Sequence, residues 1–192
     1  MKDLFKKTLL ASGVALLLTG CGGTVDESPQ TSLESQQYDL LAACTDTTEL
    51  AEAAEHSCVH GELGPFENVT ASPLGTVSFV DVSAPHLAYV VTLPARTSGL
   101  GWGGSVMFTP EESGEYAFLV SRKRGLRIFN GDVEVTRECR YNVPEEVCTS
   151  LRTAILADLE AGVDYRLEFE AIAERNSQFT LVIEETGHAH AE

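Results

Sequence analysis

The chain has 192 residues, with 29 acidic against 13 basic side chains, a formal net charge of −16 and 43% hydrophobic residues. Its acidity repels nucleic acid and anionic headgroups, which excludes a nucleic-acid role, and favours solubility and the attraction of cations or basic partners. The length suits one domain with a real core and is short for two.

The first elements are an address. Lys2, Lys6 and Lys7 precede an apolar run, Leu9 to Leu18, shorter than the roughly 20 residues of a spanning helix, and the segment ends in Leu18-Thr19-Gly20-Cys21. This arrangement resembles the lipobox of bacterial lipoproteins. The resemblance implies that residues 1–20 are a signal peptide, cut before Cys21, and that the cysteine is then acylated, palmitate among the acyl groups. Losing three lysines and one aspartate takes the formal charge from −16 to −18. Gly22 and Gly23 follow the cysteine where an aspartate favours inner-membrane retention, so the resemblance implies the outer membrane. Membrane attachment is expected through the lipid alone.

Residues 21–37 are polar and Gly-, Ser- and Pro-containing, and read as a flexible, disordered tether that spans roughly 20 Å as a coil. Residues 38–64 follow as a short helical, cysteine-bearing segment. Asp46 or Thr47 can cap it, Glu49 lies three residues after Asp46, and Leu50, Ala51, Ala53 and Ala54 favour helix up to Cys58. With Cys21 assigned to lipid, Cys44, Cys58, Cys139 and Cys148 form an even set in an exported chain, which predicts two disulfides. Three pairings are open. The local one, Cys44–Cys58 with Cys139–Cys148, is favoured because each pair brackets a turn-containing segment, and each such loop contributes about 2.5 to 3 kcal/mol in the chain-entropy model.

From Pro65 the pattern turns to short strands, expected near 67–71, 76–82, 88–93, 105–109, 116–121, 126–129, 133–137, 151–157, 165–171 and 178–184. Alternation places Tyr116, Phe118 and Val120 on one face, Leu167, Phe169 and Ala171 on another, and Phe179, Leu181 and Ile183 on a third. Asn130-Gly131 predicts a type I′ hairpin turn. The fold class expected is mainly β: a single antiparallel, jelly-roll-like β-sandwich over 65–186, followed by a histidine-containing tail, 187–192. Two stretches, Phe108-Thr-Pro-Glu-Glu-Ser-Gly-Glu-Tyr-Ala-Phe-Leu-Val and Leu159-Glu-Ala-Gly-Val-Asp-Tyr-Arg-Leu-Glu-Phe, echo each other, each setting a turn glycine before an aromatic-led alternating strand. This resembles bacterial pre-peptidase C-terminal domains and related extracellular β-sandwiches, and implies an accessory binding or stability module rather than a catalyst. The extra cysteines and the long N-terminal segment depart from that pattern.

No nucleophile elbow or phosphate loop is present, and 29 carboxylates nominate no acid–base pair by spacing, so no enzyme is expected. His56 and His60 have the i, i+4 spacing of a zinc-protease pair, but Ser57 stands where the catalytic glutamate would follow. The alternative to a non-catalytic envelope module is a copper, nickel or zinc site built from His56 or His60 and His188-Ala-His190, supported by Glu184 or Glu185. His86, after Ala84-Pro85, reads as a turn or strand-edge residue. Trp102, set among glycines, is either a stacking platform for a glycan or partner protein, or a cover over the end of the core. The core reading is favoured. Arg122, Lys123, Arg124 and Arg127 form a basic island, either a contact for an anionic envelope component or, as favoured, an internally paired segment.

Overall fold

The computed structural model describes residues 41–186. The signal segment, Cys21, the tether and the tail histidines lie outside the described residues. A helix, α1 (Thr48–Leu63), precedes eleven strands. The six-stranded sheet contains β1 (Phe66–Thr70), β3 (Ala88–Thr92), β11 (Gln178–Glu185), β5 (Gly114–Val120), β9 (Thr153–Leu159) and β8 (Arg140–Asn142), in that order. The five-stranded sheet contains β2 (Ser72–Pro73), β4 (Trp102–Phe108), β10 (Tyr165–Ala171), β6 (Leu126–Asn130) and β7 (Val133–Glu134), in that order. The protein is a β-sandwich with one helix laid on the outer face of the larger sheet. Within the sheets only β1 with β3 runs parallel.

Strand periodicity explains the two cores. Tyr116, Phe118, Val120, Leu167, Phe169, Ala171, Phe179 and Leu181 all enter the inter-sheet core, with Ile183 packed against it. The alternate residues of the larger sheet, Ala117, Leu119 and Val182, turn outward to meet Leu50, Ala54 and Cys58 of α1 in a second core. The larger sheet is therefore apolar on both faces where the helix covers it, which is why β5 reads as a nearly continuous apolar run.

The two echoing stretches are two neighbouring corners at which the chain changes sheet. One carries β4 into β5 and the other β9 into β10, and these four strands pair as β4 with β10 and β5 with β9. At each corner the aromatic residue ties back to its own turn: the Tyr116 hydroxyl donates to the Glu112 carbonyl at 3.0 Å, and the Glu160 N–H donates to the Tyr165 hydroxyl at 3.0 Å. The corners also bond to each other, the Gly162 N–H donating to the Pro110 carbonyl at 2.8 Å.

Several expectations are corrected. The disulfides are Cys44–Cys139 and Cys58–Cys148, not the local pairs, with separations of 95 and 90 residues. The reason is packing. Ala43 bridges Arg140 in parallel, which brings Cys44 beside Cys139, and the buried face of α1 holds Cys58 over Cys148. Segment 76–82 makes no strand: Ser78 and Val80 bond to the edge of β4, while Val77 and Phe79 point outward. The hairpin turn falls one residue later than expected, with Asn130 paired to Val133 and Gly131 at φ 59°, as in a type II′ turn with glycine at the first central position. Strand 133–137 shortens to β7, and β2 and β8 were not anticipated. The helix runs five residues beyond Cys58, and the Asp46 side chain accepts from the Thr48 N–H at its start.

Candidate metal centre

Helix α1 supplies His56 and His60, one turn apart and therefore on one face. The third imidazole comes from far away in sequence. His86 sits in the turn that leads into β3, where it is the described non-glycine residue with positive φ, 55°. Ala84, two residues before it, is clasped by Tyr89, whose hydroxyl accepts from the Ala84 N–H at 3.0 Å and donates to its carbonyl at 3.4 Å. The turn is thus pinned to the first strand it feeds. Its strained residue is the one that faces the helix.

The three rings form a compact cluster. Centroids lie 4.9 Å apart for His56 and His60, 5.4 Å for His56 and His86, and 5.4 Å for His60 and His86. One nitrogen from each ring lies within 4.8 Å of those of the other two. Tetrahedral zinc with bonds of about 2.0 to 2.1 Å holds its ligand atoms about 3.4 Å apart, so small rotamer movements close the set. Below it, β11 contributes Glu184, 6% exposed, whose carboxylate lies 2.9 Å from Nδ1 of His56. That contact directs Nε2 of His56 away from Glu184 and toward other partners. It is the carboxylate–histidine arrangement that orients metal-binding imidazoles.

His60 is the telling member. Both of its ring nitrogens are buried, and neither meets a hydrogen-bond partner of good geometry among the described residues. A neutral imidazole carries one N–H and one lone pair; the Gly64 backbone is the near partner for the N–H, and the lone pair is the group left to a ligand. Its pKa is held below the usual histidine value, first by burial and then by the charge of His56 and His86, with the backbone at Gly64 and Glu184 opposing. A neutral imidazole with an open nitrogen is what a metal ion requires.

The remaining candidates are dispersed. Cys58, Glu62 and Cys148 also lie together, but both sulfurs are spent in the disulfide. Trp102 opens β4, half-buried against the inter-sheet core. The basic island divides: Arg124 is 1% exposed and lies over the Phe179 ring at 3.8 Å, Arg127 pairs with Glu134 and Glu168, and Arg122 and Lys123 face outward. Glu185 stays near the centre but lines a neighbouring cavity. His188 and His190 lie outside the described residues. The residue that sequence reasoning missed is His86, for which local sequence offers only a Pro-His turn signal. No protein-family model matches the chain, and comparison with curated proteins finds no match.

Proposed function

We propose that the protein is a lipid-anchored, non-catalytic module of the bacterial cell envelope that binds a divalent transition metal, copper or zinc, through His56, His60 and His86. The convergence of three imidazoles on one point, one of them, His60, with both ring nitrogens buried, carries the reading. Imidazole ligands suit zinc and copper over magnesium or calcium, which take oxygen donors. Glu184 supports His56 from behind, and His188 and His190, which follow β11 in the sequence, are the candidates for a fourth ligand. An acidic surface favours the approach of cations. Attachment through Cys21 rests on the lipobox resemblance, and a role in holding a glycan or envelope protein rests on the sandwich architecture.

The test is calorimetric titration of the protein from residue 22 onward with Zn(II) and Cu(II) near neutral pH. One metal per chain is expected, with His60→Ala and His86→Ala each weakening it by a hundredfold or more. Glu184→Gln should weaken it by about 10- to 100-fold, as for other partners that orient a ligating histidine. Undiminished binding in His86→Ala would refute the three-imidazole centre, and a loss confined to His188→Ala/His190→Ala would relocate the site to the tail.

A further inference from the structure

At the other end of β11 from the imidazoles, three connections surround a cavity of about 430 Å³. They are the β5–β6 loop, the segment between β8 and β9, and the 3₁₀ turn Glu174–Asn176. β11 starts here, at Gln178, and reaches the imidazole cluster at Glu184, roughly 20 Å along the strand. Loops that a rigid sandwich gathers at one end are where binding residues concentrate.

The lining is basic in a molecule that is acidic. Arg122, Lys123 and Arg124 of the first loop and Arg152 of the second segment set four cations against one carboxylate, Glu145. The chain carries 29 acidic against 13 basic side chains, and Arg96, Arg127, Arg137 and Arg166 each pair with a carboxylate. Among the described residues Arg122 and Lys123 do not. The Nε–H of Arg122 donates to the Gln178 carbonyl at 3.3 Å, which leaves both of its terminal amino groups for another acceptor. Arg152 gives one amino group to Glu145 at 2.6 Å and keeps the other, and Glu145, 79% exposed, covers little of the site. Arg124, buried over Phe179, is fixed by donating to the Asn176 carbonyl and adds a charge that salt screens least. The Thr180 N–H donates to the Ser121 hydroxyl at 2.8 Å, so the hydrogen of that hydroxyl is a further donor at the wall.

These features select a ligand. Cations spread over two segments suit an anion with acceptors on several sides, and a phosphate monoester brings close to two negative charges and three strong acceptor oxygens, where a carboxylate offers two. At roughly 30 Å³ per water the cavity takes about fourteen waters' volume, several times that of a bare phosphate. No apolar side chain lines it among the described residues, which matches a hydroxylated body rather than a hydrocarbon one. We propose that this cavity binds a phosphorylated sugar, its phosphate held by Arg122, Lys123 and Arg152 and its hydroxyls by Ser121 and the polar rim. The same chemistry serves a free sugar phosphate and a phosphorylated glycan of the envelope. The site rests on neither the metal reading nor the lipid anchor.

The experiment titrates metal-free protein calorimetrically with glucose 6-phosphate, glucose and inorganic phosphate, at a pH above the second phosphate pKa of about 6. One glucose 6-phosphate per chain is expected, bound at least about tenfold more tightly than either fragment and more weakly as salt rises. Arg122→Ser/Lys123→Ser, at exposed positions outside both cores, should weaken it by about tenfold with Tm unchanged. Glu145→Gln removes the one opposing charge and should tighten it by about threefold. Phosphorylated dextran bound more tightly than glucose 6-phosphate makes the ligand a glycan, and dextran bound no more tightly makes it a free sugar phosphate; both support the site. No saturable binding, glucose or phosphate bound as tightly as glucose 6-phosphate, full binding in the double variant, or weaker binding in Glu145→Gln would each overturn the assignment.

Discussion

His60 shows how a single side chain changes meaning with its surroundings. On an isolated helix it is a surface residue next to a cysteine. In the fold its ring nitrogens are buried, its pKa is lowered, first by burial, and two further imidazoles flank it. Glu138 makes the same point for a carboxyl. Glu115 and Asp158 sit directly across from each other on β5 and β9, and the Glu138 backbone N–H bonds to Leu156 beside them, so three acids meet at one edge. Hydrogen bonds to Asp158 and Glu115, then burial and their charge, raise the Glu138 pKa from 4.5 to about 7. A raised acid holds a proton in the folded state that the unfolded chain has already released. Its stabilisation is therefore full below about pH 4.5 and is lost as pH rises through about 7. Glu138→Gln keeps the neutral form at every pH. It should melt close to wild type at about pH 4.5 and above it at about pH 8, by thermal denaturation followed by circular dichroism. A difference in Tm that does not change with pH would show that the three carboxyls share no proton.

At the scale of elements, α1 depends on its attachments. Sixteen helical residues whose N-cap, Thr47, makes no side-chain bond are marginal alone, and tertiary packing on β5 and β11 supplies what propensity does not. Cys58–Cys148 staples that packing, and a loop of 90 residues is worth on the order of 4.6 kcal/mol in the chain-entropy model when it is the only bridge. Cys58→Ala/Cys148→Ala should lower the melting temperature and, because His56 and His60 ride on the same helix, weaken metal binding by more than Cys44→Ala/Cys139→Ala does. Amide hydrogen exchange read along α1 checks the cause. If exchange there is unchanged, the helix is held by its apolar face alone and the link from bridge to imidazoles is wrong.

At the scale of the molecule, the lipobox resemblance makes Cys21 the point on which location turns. Cys21→Ser should shift the protein from the detergent phase to the aqueous phase in phase partitioning, with an unchanged fold by circular dichroism, since the first strand of the sandwich, β1, begins only at Phe66. Partitioning that ignores the substitution would remove the lipid anchor. Among the described residues no helix is long and apolar enough to cross a membrane.

What the chain's own order of residues determined is the local part: period-two strands such as Tyr165–Ala171, aromatic-led corners, a helix begun near Asp46, and four cysteines fit for two bridges. Each of these is written within a few consecutive residues, where backbone preference and side-chain alternation act directly. The pairing of the cysteines and the third histidine were decided by tertiary structure. Cys44 meets Cys139 because segment 41–44 lies along β8, and His86 meets His56 and His60 because the helix covers the end of the sheet at which β3 begins. Contacts between residues 26 to 95 positions apart follow from which faces pack together, and that choice is made by the whole apolar surface at once rather than by any segment of it.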